Sequence, residues 1–274
     1  MIKRKNYGVV LITGASAGIG RALAFEFAPR AEKLVLVARR LDRLETMRGQ
    51  LSEQYPGLDV ITLAADLADE SNIEALLARV AERVGQVDVL VNNAGVGDSV
   101  LFDRSDWKRT RQVLQTNVLA VVQLTSALVP SMVKRGRGGV LNIGSGAGLT
   151  VLPNGAAYVG SKHFVAGFSE ALRADLAGTG VTVTEVCPGP VDSEFDQVAG
   201  SAGGMVGGPA QSLRIDAEQC AREAVAGFEQ GEARVFPGRA YRFVMRVLPL
   251  VPSWVRRKHA ANAAARLRAG LKTK

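Results

Sequence analysis

The chain has 274 residues, 47% of them hydrophobic and 22% charged, which is enough apolar material for a buried core and excludes wholesale disorder. Its formal charge of +8 would suit a nucleic-acid binder, but residues 239–274 hold ten Lys or Arg and no Asp or Glu, leaving 24 basic against 26 acidic residues in 1–238. The body is therefore almost neutral, the tail carries the charge with few aromatics (Tyr241, Phe243, Trp254), and nucleic acid is not an expected partner.

Residues 1–17 imitate a secretion signal, with Lys3-Arg4-Lys5, an apolar run and Ala15-Ser16-Ala17. The run is short, and cleavage there would destroy the glycine-rich turn that follows, so a cytoplasmic location is expected. No segment reads as the roughly 18 apolar residues a membrane span requires. Cys187 and Cys220 match no metal or redox spacing and read as core thiols, so no metal site is expected.

In chain order, short runs rich in Val, Ile and Leu fall at 8–13, 33–38, 59–64, 87–92, 139–144, 181–187 and 234–236. They lack in-out alternation, which predicts strands buried on both faces. Stretches of helical period separate them, at 19–29, 41–54, 70–84, 105–134, 155–178 and 216–229. This alternation predicts an α/β fold: a Rossmann-type, doubly wound parallel seven-stranded sheet with helices on both faces. Residues 188–215, rich in Gly and Pro and too long for a routine connection, are expected to form a substrate lid.

Residues 11–20 read LITGASAGIG and can be parsed in two ways. Gly14-Ala15-Ser16-Ala17-Gly18 matches G-x-S-x-G, the nucleophile elbow of serine hydrolases. Such an elbow needs a base, and the only histidines are His163 on a long predicted helix and His259 in the basic tail. A phosphate-binding turn fits the surroundings better: a strand ends at Thr13, a helix begins near Gly18, and Gly14, Gly18 and Gly20 let the backbone approach a pyrophosphate. Ser16 then offers its hydroxyl to a cofactor phosphate. The second strand ends Val37-Ala38-Arg39-Arg40, without the acidic residue that would grip a ribose 2′-hydroxyl. Arg39 favours a 2′-phosphate, hence NADP, with NAD as the alternative.

Tyr158 and Lys162 stand four residues apart on one predicted helix and share a face. An ammonium near a phenol favours phenolate, moving a group with a free pKa of about 10 toward the range useful for proton transfer. Ser145 falls at the end of the fifth strand, on the side where open α/β sheets bind ligands. Asn117 lies within a predicted helix, where Asn is unfavourable by propensity.

Taken in order, Thr13-Gly14-x-x-x-Gly18-x-Gly20, Asn92-Asn93-Ala94-Gly95, Ser145, Tyr158-x-x-x-Lys162 and Pro188-Gly189 resemble the single-domain branch of the short-chain dehydrogenase/reductase family, over about residues 7–236. The resemblance implies Tyr158 as acid/base, Lys162 also on the nicotinamide ribose, Ser145 bonded to the reacting oxygen and Asn117 supporting a water-mediated proton path. It implies cofactor contacts from Gly14, Ser16, Ala17, Gly18, Ile19 and Gly20, from Arg39 with Arg40 or Arg43, and from Asp66 and Leu67 beside the adenine. Asn93, Ala94 and Gly95 would line the cofactor near the fourth strand, with Pro188, Gly189, Val191 and Ser193 toward its carboxamide end. One departure is Ala17, where NADP-preferring relatives often carry a basic residue. The implied activity is NADP(H)-dependent interconversion of a small-molecule carbonyl and a secondary alcohol, by a homodimer or homotetramer. A non-catalytic NADP-binding sensor is the alternative; an epimerase, a dehydratase and a hydrolase fit less well.

The expected organisation is a catalytic domain over 1–238 and a basic amphipathic extension over 239–274. Arg239, Arg242 and Arg246 recur at helical spacing, leaving Tyr241, Val244, Val247 and Leu248 mostly on other faces, and Pro249 and Pro252 prevent one continuous helix. Two readings stand open. The segment packs over the domain or a partner subunit, or it lies peripherally on the inner face of a membrane with its arginines at anionic headgroups. The lid and the apolar tail together suggest a hydrophobic, lipid-like substrate.

Overall fold

A computed structural model of the chain describes residues 6–195 and 212–272. The first half runs β1 (Tyr7–Thr13), α1 (Gly18–Phe27), β2 (Ala31–Ala38), α2 (Leu41–Gln54), β3 (Asp59–Ala64), α3 (Glu70–Arg83) and β4 (Val89–Asn92). It continues with α4 (Trp107–Leu114), α5 (Ala120–Arg135), β5 (Gly138–Ile143), α6 (Ala156–Asp175) and β6 (Val181–Val186). The last elements are α7 (Ala217–Glu229), β7 (Arg234–Val235), α8 (Arg239–Val247) and α9 (Ser253–Lys272).

The seven strands form one parallel sheet in the order β3-β2-β1-β4-β5-β6-β7. Successive strand residues point to opposite faces, and here both faces are covered. Val10, Ile12, Leu34, Leu36 and Val91 pack with Leu23, Phe27, Leu44 and Phe228 of α1, α2 and α7 on one side. Leu11, Val35, Val37, Leu90 and Val140 pack with Ile73, Leu76, Leu124 and Leu128 of α3 and α5 on the other. That double burial explains why most of the strands read as runs rich in Val, Ile and Leu.

Two expectations need correction. The predicted helix over 105–134 is α4 and α5 joined through a π-helical turn at Gln115–Leu119. The combined run Trp107–Arg135 is, by length and composition, long and apolar enough to cross a membrane, contrary to the reading that no segment is. Half of its most apolar window is buried inside the protein, where α5 covers one face of the sheet. Most of the lid segment, residues 196–211, lies outside the described residues. Its two ends are pinned together: Asp192 N donates to Ile215 O at 3.0 Å and Ile215 N to Pro190 O at 3.2 Å.

Strand order reverses between β1 and β4. The carboxyl ends of these two strands diverge into separate crossovers, opening a crevice that the loop after β1 and residues 93–95 after β4 both border.

Candidate active site

The turn after β1 is built around glycines, two of them in a backbone conformation that residues with a side chain rarely adopt. Gly14 and Gly18 have φ of +65° and +52°, and a Cβ on Gly14 would lie 2.8 Å from the Ala94 Cα. A Cβ on Gly20 would collide with the Gly14 carbonyl. Helix α1 starts behind this turn with an extended Ala17 and no side-chain cap, so no side chain takes up its first amides. The turn is braced from β4. Thr13 Oγ1 donates to Val91 O at 3.1 Å and accepts from the amides of Asn93 and Ala94 at 3.0 Å each. Asn93 Nδ2 donates to Thr13 O at 2.8 Å and to Gly14 O at 3.2 Å. The Asn93 side chain therefore supports the loop, where the resemblance had it lining the cofactor.

At the end of β2 the three arginines separate. Arg40 donates to Ser16 Oγ at 3.2 Å and pairs with Glu194 at 2.9 Å, and Arg43 pairs with the same carboxylate at 2.6 Å. The two guanidiniums hold the Glu194 carboxyl below its ordinary range. Arg40 and Arg43, expected to help hold a 2′-phosphate, are thus committed to a carboxylate from the chain after β6, and Ser16 to Arg40. Arg39 is exposed and has no ion-pair partner among the described residues. Leu67 and Val191 bury their side chains in the core, which leaves only their backbone for a ligand. Asp66 accepts from the Ala68 amide at 3.1 Å in the turn after β3. Ile19 packs partly against the core, and Ser193 Cβ would sit 3.0 Å from a Cβ on Gly18.

Across the crevice, Ser145 lies two residues past the end of β5 and caps the 3-10 turn Gly146–Leu149, its Oγ accepting from the Ala147 amide at 3.1 Å. That bond fixes the oxygen and leaves the hydroxyl proton free to donate. Tyr158 is buried in the first turn of α6, in an apolar cluster with Val96, Val113 and Ala147, against which Leu152 and Phe195 pack. Lys162 is buried one turn later, its Nζ donating to Ile143 O at 2.8 Å and standing 5.9 Å from the Tyr158 ring centroid. Asn117 sits in the π turn and spends its amide on structure. Its Oδ1 accepts from Val96 N at 2.9 Å, and its Nδ2 donates to Val96 O and Ser161 Oγ at 3.0 Å each. A Cβ on Gly95 would lie 3.4 Å from Asn117 Oδ1 and 3.7 Å from Lys162 Nζ, so these three positions meet.

Burial pushes the Lys162 ammonium down to about 8, against the pull of the Glu185 carboxylate. The folded protein therefore holds its proton less tightly than the unfolded chain. At pH 7 this costs on the order of 3 kcal/mol, and the cost fades as pH rises from about 8 toward the ordinary lysine value. Urea denaturation should show wild type gaining stability relative to Lys162→Met between pH 7.5 and about 10. A constant difference across that window would contradict the buried charge.

The fold also brings to the site residues to which the motifs assigned no role. Glu185, the one charged residue of β6, is 1% exposed and accepts from Arg234 Nε at 2.7 Å. A charge inside a strand buried on both faces was its sequence signal. Asn92 and Asn142 pair across β4 and β5, Asn92 Nδ2 donating to Asn142 Oδ1 at 2.9 Å, and Thr125 and Ser169 extend the network to α5 and α6. Tyr241 of α8 was legible only as one apolar residue opposite the arginines of the tail, with nothing to point it at the site. It is buried against Gly189, whose Cβ would lie 2.8 Å from the ring, and its hydroxyl occupies the space a Gly146 Cβ would need. It donates to Pro188 O at 3.4 Å, and burial pushes its hydroxyl far above the ordinary tyrosine range. The hydrolase parsing finds no base: His163 is exposed, with Nδ1 against Val159 O at 2.9 Å.

Comparison with known proteins gives the family. Residues 8–202 match the short chain dehydrogenase family. A sulfoacetaldehyde reductase from Chromohalobacter salexigens is 41% identical over 194 residues, 69% of this chain and 74% of that one. An NADP-dependent 3-hydroxy acid dehydrogenase from Salmonella typhimurium is 36% identical over 195 residues, 69% and 75% of the two chains. Among solved structures, a short-chain dehydrogenase from Sphingobium yanoikuyae in complex with NADPH superposes with a TM-score of 0.77 at 30% identity, covering 97% of this chain and 96% of that one. A bulky-bulky ketone specific alcohol dehydrogenase from Comamonas testosteroni superposes with a TM-score of 0.74 at 26% identity, covering 98% and 95%. The chain belongs to the short-chain dehydrogenase/reductase family. Within it, the protein is an oxidoreductase of the CH–OH and carbonyl class.

Proposed function

We propose that this protein uses NADP(H) to interconvert a hydrophobic carbonyl compound and its secondary alcohol, within a catalytic unit formed by residues 1–238. The observation that carries the reading is the convergence of Ser145, Tyr158 and Lys162 beside the glycine turn, where the strand order reverses. The residues fit the dinucleotide. The turn has room only for glycine, the start of α1 is uncapped, and Arg39 is free to meet a 2′-phosphate. When bound, the dinucleotide supplies or accepts the hydride.

The Tyr158 hydroxyl delivers the proton to the carbonyl oxygen, while Ser145 donates a hydrogen bond to the charge growing there. The Lys162 ammonium, close to the phenol in a dry setting, stabilises the phenolate that remains. Asn117 ties the β4 loop to α6, its side-chain amide taken up by the Val96 backbone and Ser161, so a water path to the lysine would have to run past it rather than through that amide.

The apolar surroundings of Tyr158 favour an uncharged, hydrophobic ketone over the anionic substrates that the names of two relatives imply. A spectrophotometric panel of aryl and long-chain ketones beside sulfoacetaldehyde and 3-oxo acids tests this; a higher kcat/KM for the acids would overturn it. Arg39→Ala is expected to raise the KM for NADPH by roughly 10- to 100-fold, the worth of a charge-assisted hydrogen bond, and to leave that for NADH unchanged. An unaltered NADPH to NADH ratio would take the 2′-phosphate away from Arg39. A homodimer or homotetramer in the cytoplasm belongs to the same proposal. Exposed Trp107, Leu119 and Phe164 offer an apolar face for a second copy, and light scattering reads the mass.

A further inference from the structure

Helix α8 is apolar on two opposite sides. Tyr241 and Met245, four residues apart, are buried on the side facing Gly146 and Gly189. At 3.6 residues per turn, Phe243 and Val247 fall on the far side, and both are exposed. Past the break at Pro249, large apolar side chains are exposed as well: Phe243, Leu250 and Trp254 are 70%, 80% and 67% exposed. Solvated single apolar residues need no explanation, but several large ones exposed close together in the chain do.

The charge around these side chains has one sign. Arg239, Arg246, Arg257 and Lys258 are exposed with no ion-pair partner among the described residues, and positions 239–274 contain no acidic residue. The segment is nevertheless fixed to the body. Arg242 pairs with Glu223 at 2.6 Å and donates to Phe236 O at 3.1 Å, while Arg268 grips Asp103 through two bonds of 2.8 and 2.9 Å.

We propose that this segment docks the enzyme on an anionic lipid surface. Phe243, Val247, Leu250 and Trp254 enter the boundary between headgroups and acyl chains, and Arg239, Arg246, Arg257 and Lys258 meet the phosphates. Charge complementarity selects this occupant. A two-fold contact with a second copy sets the same patch against itself, bringing arginines onto arginines. A nucleic acid would satisfy the charge but gives no return for exposing Leu250 and Val247. Because the inner side of α8 lies against the turn that carries Ser145, docking would place the site about one helix diameter from the lipid. A membrane-dissolved ketone could then reach it; this last consequence alone rests on the proposed activity.

The test is co-sedimentation of the full-length chain with vesicles of equal parts phosphatidylcholine and phosphatidylglycerol, beside vesicles of phosphatidylcholine alone. Wild type is expected to bind the anionic vesicles and not the neutral ones. A Phe243→Ser, Leu250→Ser, Trp254→Ser variant and an Arg239→Gln, Arg246→Gln, Arg257→Gln variant should each bind at least about tenfold more weakly. Both should keep the wild-type thermal midpoint and turnover of a water-soluble ketone, since every changed side chain is exposed. Three results would overturn the proposal: no binding of wild type to anionic vesicles, undiminished binding by the serine variant, which marks a contact with any polyanion, or a lower solution mass for the serine variant, which marks a contact between copies.

Discussion

Tyr158→Phe is expected to lower the rate of NADPH-dependent ketone reduction by about 10²- to 10⁴-fold, the usual worth of a positioned general acid. The substitution removes one oxygen and keeps the ring, which packs with Val96, Val113, Ala147 and Phe195 and supports the first turn of α6. NADPH affinity and thermal midpoint should therefore stay close to wild type. A loss in kcat/KM carried by kcat is the signature of an interaction made in the transition state. Retained turnover would remove Tyr158 as the acid and leave Ser145 to be examined in its place.

Gly146→Ala is the second substitution with a large expected effect. A methyl at this position overlaps the Tyr241 hydroxyl outright, with Met245 Cε at 3.6 Å beyond. Either α8 moves or the turn carrying Ser145 does. Overpacking of this kind costs about 1–3 kcal/mol, and displacing a catalytic group by an ångström costs on the order of a hundredfold in rate. Tyr241→Phe removes the overlapping oxygen and leaves the ring carbon behind it at 3.0 Å. The double variant should recover much of the activity and stability lost by Gly146→Ala alone. Full activity in Gly146→Ala, or no recovery in the double variant, would mean that α8 does not press on the catalytic turn.

The Gly146–Tyr241 contact marks where reading the chain stops being sufficient. Gly146 looks like an ordinary turn glycine and Tyr241 like one aromatic in a basic tail; they lie 95 positions apart, and no local period links them. The same holds for Glu194, which reaches back to Arg40 and Arg43 across about 150 residues of chain. The arginines at the end of β2 were legible as a 2′-phosphate site, but which of the three stays free depends on a carboxylate delivered by another loop. Asn117 was recognisable as an odd choice for a helix. Only the fold reveals that its amide bonds the Val96 backbone and that the helix around it widens into a π turn.

What the sequence determined by itself is whatever local chemistry dictates. Runs rich in Val, Ile and Leu specify strands buried on both faces, their alternation with helical periods specifies a parallel doubly wound sheet, and Gly14, Gly18 and Gly20 specify a tight turn that disfavours side chains. Tyr158 and Lys162 lie on one face because four residues make about one helical turn. The tertiary structure decided what depends on contacts between distant segments: the burial that lowers the Lys162 ammonium, the pairing that occupies Arg40 and Arg43, and the two-sided character of α8. Those properties follow from desolvation and steric exclusion, which arise only when segments far apart in the chain are packed against each other.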